Sequence, residues 1–240
     1  MAADGLHSQV LTVLGPSIAA GEYPPGTVLR IEELEDRFGV SRTVAREVVR
    51  VLESMQVVSL RRRVGVTVRP NHEWNLYDPL VIRWRLAGAD RVGQLRSLTE
   101  LRSAVEPVAA RLAALRATPE QCGQLTGLIV QLSTTAKARD LEAFLQHDIA
   151  FHRCVLVASG NEMFARLSDT VAEVLTGRTT YGLMPEEPDP AAVRMHAEVA
   201  EAIHSGEPER AEAAMRQIVS GAAAEMSDVF ATVASEIARQ

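Results

Sequence analysis

In the run DIAFH, residues 148–152, a carboxylate and an imidazole stand four residues apart, beside Ile149 and Phe151. On a helix that spacing stacks Asp148 and His152 on one face, with Cβ atoms about 5–6 Å apart. Two chemistries fit: one divalent ion can bridge the oxygen and the ring nitrogen, or the two groups can share a plain hydrogen bond. Arg102 and Glu106, in LRSAVEP, repeat the spacing. As an exposed helix pair they would contribute only about 0.2–0.5 kcal/mol. Pro107 follows at once, removes the donor for the Ser103 carbonyl and is expected to interrupt the helix. A third cluster, Arg42, Thr43 and Arg46 in SRTVAR, sets two guanidinium groups four residues apart.

The elements that must hold these groups follow from the rest of the chain. At 240 residues it accommodates one large domain or two modest ones. A hydrophobic content of 47% against 23% charged residues excludes a disordered chain. Aromatics are scarce, and Ala, Val and Leu do the filling, which favours helices. No apolar run approaches the roughly 18 residues of a membrane span, and MAADGLHSQV does not read as a secretion signal. Cys122 and Cys154 form no CxxC, so a reducing cytoplasm is the expected location. The net charge of −6 conceals an asymmetry: residues 37–69 carry eight arginines against Glu47 and Glu53, whereas residues 71–240 are net acidic. A basic segment on an acidic body suggests a polyanion-binding module joined to something else.

Leu6, Val10, Leu14 and Ile18 form one apolar stripe, which GEYPPG ends. IEELEDRFGV predicts a short second helix with Ile31, Leu34 and Phe38 inward and Gly39 at its end. SRTVAREVVRVLESMQ predicts a third, capped by Ser41, with Val44, Val48, Val49 and Leu52 buried. Two β-branched strands around the basic turn RRRVG complete a winged helix-turn-helix. The first turns of such a second helix enter the major groove. Arg42, Thr43 and Arg46 are placed there, and an arginine can bond guanine O6 and N7 together. Arg30 and wing residues Arg62 and Arg63 suit phosphate or minor-groove contact, and Gly65 lets the wing turn tightly. The run PPGTVLRIEELEDRFGVSRTVAREVVRVLESMQVVSLRRRVGVTV resembles the DNA-binding domain of the GntR family of bacterial regulators.

Residues 71–89 read as a linker whose short helix starts at Asp78-Pro79. Residues 90–240 then read as an all-α antiparallel bundle, with Leu98, Leu101, Val105, Val108 and Leu112 along one face of its first helix and Thr118-Pro119 opening the next. LRSAVEPVAARLAA, DIAFHRCVLVASGN and HAEVAEAIHSGEPERAEAAMR resemble the FadR-type effector domain, or FCD, of the same family. The resemblance implies that Asp148, His152 and His196 bind a divalent metal, zinc by default with nickel or manganese as alternatives. The family's fourth ligand, a histidine, is Ile218 here. If the metal is lost, the three groups become a hydrogen-bonded polar cluster. The resemblance also implies that Arg102 binds an effector carboxylate, a role that suits a bidentate guanidinium. Asn161 is expected to cap the following helix.

The fold class is thus mainly α: a winged helix-turn-helix over residues 1–70, the linker 71–89, and an effector-binding and dimerisation bundle over 90–240. The function implied is a ligand-responsive regulator, a repressor of a catabolic operon, binding double-stranded operator DNA as a homodimer. YDPLVIRWRL resembles the linker of sugar-acid regulators, which points to a sugar acid or hydroxy acid as effector. Direct sensing of the metal is the alternative, and a metallohydrolase is a distant third.

Overall fold

The structure is a computed structural model and describes residues 2–61, 65–88, 91–181 and 190–237. The chain divides into two compact units, Met1–Gln94 and Leu95–Gln240. The first contains α1 (Ala2–Ala19), β1 (Val28–Leu29), α2 (Ile31–Phe38), α3 (Arg42–Ser54), β2 (Val58–Arg61), β3 (Gly65–Val68) and α4 (Pro79–Ala87). The sheet is antiparallel in the order β1-β3-β2, with Leu29 opposite Val66 and Leu60 also opposite Val66 on the other side. Two strands were expected; β1 is the third, and two residues are too few to show a period.

Local signals set the helix ends. Gly39 closes α2 in the left-handed region at φ 61°, and the Ser41 hydroxyl caps α3 by accepting from the Val44 amide. Val10, Leu14 and Ile18 of α1 meet Val44, Val48, Val49 and Leu52 of α3 in one core, whereas Leu6 is exposed. Asp78 caps α4 through the Leu80 and Val81 amides, with Pro79 in the first turn. The stretch read as a linker adds Trp74, Val81 and Trp84 to this core. Trp84 lies so close over Gly15 of α1 that a Cβ there would stand 2.2 Å from the indole.

The second unit holds the rest of α5 (Arg91–Arg116) and then α6 (Pro119–Ala138), α7 (Leu141–Ala158), α8 (Glu162–Arg166), α9 (Ser168–Thr180), α10 (Pro190–His204) and α11 (Pro208–Ile237). Thr118 and Gln121 form a reciprocal capping box on α6. The Asn161 carboxamide caps α8, as expected. Arg210 of α11 bonds Glu198 and Glu201, which fastens α10 alongside. None of the described helices is long and apolar enough to cross a membrane.

Two expectations about α5 are corrected. The helix runs through Pro107 without interruption. Only the Ser103 carbonyl loses its donor, and Pro107 lies on a buried face with Ala109, Ala110 and Ala113. The buried face also follows the Leu/Val stripe only in part: Leu98 is buried and Val105 packs half-buried against the core, but Leu101 and Leu112 are not fully buried. It is Leu95, Leu98, Thr99, Arg102, Glu106, Ala109, Ala110 and Ala113, while Val108 is exposed. Small alanines let the neighbouring helices approach, and this polar pair is carried inward.

Candidate metal centre and nucleic-acid interface

Arg102 and Glu106 of α5, Asp148 and His152 of α7 and His196 of α10 form one buried polar chain. Arg102 donates from Nε to Glu106 Oε1 at 2.5 Å and from Nη2 to Oε2 at 3.4 Å. Glu106 Oε2 lies in ion-pair contact with His152 Nδ1, though not aligned as a hydrogen bond. On the far side of that ring, Nε2 faces Asp148 Oδ1 at 3.5 Å, and His196 Nε2 faces the same oxygen at 2.9 Å. Phe151 packs edge-on against both imidazoles.

His196 is held at both ring nitrogens. Its Nδ1 meets the Ala192 carbonyl at 2.7 Å, and a carbonyl can only accept, so Nδ1 carries a proton. Its Nε2 then faces a carboxylate, and either a second proton or a metal ion must lie between them. His152 has the same problem twice, since each ring nitrogen faces a carboxylate. Burial disfavours the cation there, but Glu106 and Asp148 overcome it and push the ring up to about 9. Burial likewise works against ionised Glu106 and Asp148. Arg102 and His152 hold Glu106 down at about 2, and hydrogen bonds from His152 and His196 hold Asp148 well below the usual carboxylate range.

The donor set fits a divalent metal. One oxygen and two ring nitrogens lie within 4.8 Å of one another. Donors about 2 Å from a tetrahedral zinc stand about 3.3 Å apart, so small side-chain rotations suffice. Among the described residues no fourth His, Cys, Asp or Glu joins the group. Ile218 is packed against the apolar core and Gln217 is exposed, so three protein ligands would leave a position open.

Arg102, which the resemblance assigned to an effector carboxylate, has two of its three nitrogens on Glu106. The ion pair with Glu106 forms and is fully buried. Glu106 is the residue that sequence reasoning missed. Its spacing from Arg102 was visible, its contact with His152 was not.

In the first unit four of the residues expected at DNA, Arg30, Arg42, Arg46 and Gly65, border one open recess of about 660 Å³ together with Arg50 and Leu60. Ser41, Arg42, Thr43 and Arg46 are all exposed at the start of α3. Gly65 has φ 107°, and a Cβ there would press on Val28 at 3.3 Å, so the wing's return needs glycine. Arg62 and Arg63 lie outside the described residues. Arg50 had not been singled out; one turn beyond Arg46, it extends the same wall and pairs with Glu47 at 2.5 Å. Arg42 pairs with Glu32 at 3.0 Å, and Arg30 approaches Glu33 at 3.8 Å. These pairs are exposed and weak, so the guanidinium groups can be transferred to an anionic partner at little cost.

Comparison with known proteins agrees with this division. Residues 6–68 match the family model "Bacterial regulatory proteins, gntR family", and residues 97–221, a little over half the chain, match the FCD domain. The chain belongs to the gntR family of bacterial transcriptional regulators and carries an FCD domain. It is 29% identical to the galactonate operon transcriptional repressor of Escherichia coli over 92% of this chain and 96% of that protein. It is 28% identical to a probable D-xylose utilization operon transcriptional repressor of Paenarthrobacter nicotinovorans, over 87% and 83% respectively. Among solved structures, Escherichia coli McbR/YncC shares the fold with a TM-score of 0.56 at 18% identity, over 94% of this chain and 98% of that one.

Proposed function

We propose that this chain represses a catabolic operon by binding a two-fold operator as a homodimer through Arg30, Ser41, Arg42, Thr43, Arg46 and the wing. A small hydroxylated carboxylate, of the sugar-acid or hydroxy-acid class, binds in the helical unit and changes that affinity. Asp148, His152 and His196 hold the divalent metal, zinc by default, and Arg102, whose Nε and Nη2 are taken by Glu106, meets the effector carboxylate through its remaining nitrogen. The observation that carries the reading is the buried Asp148–His152–His196 cluster next to Arg102, in a chain similar throughout to a galactonate repressor. A carboxylate with an adjacent hydroxyl suits an ion with an open position, whereas a hydrocarbon ligand would strand these polar groups. The ligand acts only through its differential affinity for the operator-binding and released states.

The test is a panel of aldonates and 2-hydroxy acids, read by melting temperature and operator affinity on zinc-loaded protein. At least one acid raises the melting temperature by mass action and shifts operator affinity. If only a fatty acyl thioester or an uncharged sugar does so, the anion reading fails. Chelated protein without any acid separates the second reading, direct metal sensing, which the self-contained Asp/His/His cluster favours. In that case metal removal alone changes operator affinity as much as any acid does.

A further inference from the structure

We propose that Glu106 is a positioning residue for the metal centre, holding His152 in the orientation and tautomer that present Nε2 to the ion. The inference rests on the metal reading above and adds to it a residue that touches no metal.

His152 and His196 both direct Nε2 at Asp148 Oδ1, and both have an oxygen behind the ring at Nδ1, hydrogen-bonded for His196 and in ion-pair contact for His152. For His196 that oxygen is the Ala192 carbonyl, four residues earlier on its own helix and fixed by the backbone. For His152 it is the Glu106 carboxylate, delivered from a different helix. The imidazole therefore separates Glu106 from the place where Nε2 binds an ion. A carboxylate behind a ligating imidazole fixes the ring, selects the Nδ1–H tautomer and raises the basicity of the ligating nitrogen.

Burial makes a bystander role for Glu106 hard to sustain. The carboxylate is 1% exposed, and ionised carboxylates are rarely buried without partners that need them. Both oxygens are engaged, Oε1 by Arg102 and Oε2 by His152 and, more loosely, Arg102 Nη2. Arg102 thus neutralises the carboxylate that positions the ligand and holds it in place.

The experiment compares zinc affinity and the ¹⁵N signals of His152 in the parent, in Glu106→Gln, and in the double variant Arg102→Met/Glu106→Leu. Replacing both ion-pair partners by apolar groups of similar volume avoids a stranded charge, so the double variant folds, and its melting curve checks this. Glu106→Gln leaves one oxygen for two donors, Arg102 and the His152 Nδ1–H, and its zinc affinity falls between those of the parent and the double variant. The double variant loses about 10–100-fold, and its His152 no longer shows a single Nδ1–H, Nε2–zinc form. Zinc binding in the folded double variant equal to the parent, or zinc on Nδ1 in the parent, overturns the inference while leaving the metal reading intact. A parent that takes up no zinc overturns both.

Discussion

Two arginine–glutamate pairs, one in each unit, have nearly the same chemistry and opposite meaning. Arg42 and Glu32 meet at 3.0 Å with side chains 58% and 61% exposed. Arg102 and Glu106 meet at 2.5 Å with side chains 2% and 1% exposed. The first pair is solvated in either state and screened by salt, so it contributes little and separates easily. The second has given up its hydration, so each charge depends on the other. The pair that must exchange partners is wet, and the pair that must hold a geometry is dry.

The largest expected effect comes from cutting the dry pair on one side. Arg102→Ala strands the Glu106 carboxylate and should lower folding stability by about 3–5 kcal/mol. Arg42→Ala should leave the melting temperature close to the parent's. Sequence alone, which sees both arginines as candidate ligand contacts, leads one to expect Arg102→Ala to abolish an effector response and nothing else. Urea unfolding of the two variants side by side decides the matter. Equal stabilities would mean that the second unit admits water to Arg102 and that the contrast is wrong.

Next in size is the effect on DNA, which should appear only in the first unit. Arg46→Ala should cost about 1–3 kcal/mol of operator affinity and relax preference at one base pair. Arg30→Ala should weaken all sequences alike and reduce the slope of log affinity against log salt by about one. Titrations of operator and scrambled duplexes at several salt concentrations separate the two. If Arg30 proved base-selective and Arg46 did not, the orientation of α3 on DNA would have to be reversed.

How legible each region was follows from the same contrast. In the first unit most determinants are local. Ser41, Gly39 and Asp78 mark helix ends by their own backbone and side-chain chemistry, and an exposed arginine on a recognised helix needs no tertiary information to be placed. What escaped was β1, whose two residues are a strand only because β3 lies beside them. In the second unit Asp148 and His152 could be paired from their spacing, but His196 came only through the family resemblance. Glu106 could not be assigned, because its partner His152 is on another helix. The buried face of α5 was misread in part for a related reason. Hydrophobicity ranks Leu101 and Val108 above Ala109 and Ala113, whereas close helix packing prefers the alanines.

The smallest effect is also the most direct probe of the wet pair. Glu32 stands in the first turn of α2, and its carboxyl is lowered, chiefly by a hydrogen bond from the backbone and with help from Arg42 and Arg30. The sign follows: a depressed carboxyl contributes stability above its unfolded pKa and loses it as the pH falls through the folded value. Glu32→Gln should therefore flatten the acid limb of the stability curve slightly and leave the melting temperature near neutral pH almost unchanged. The same substitution removes a negative charge that competes with DNA for Arg42. Operator affinity should rise a few-fold at low salt, and the gain should disappear as added salt screens the carboxylate. Operator titrations of Glu32→Gln and the parent at two ionic strengths measure this difference. A gain that persisted at high salt would mean that Glu32 opposes DNA by shape or by a direct contact, and that the exposed pair is less free to separate than its solvation implies.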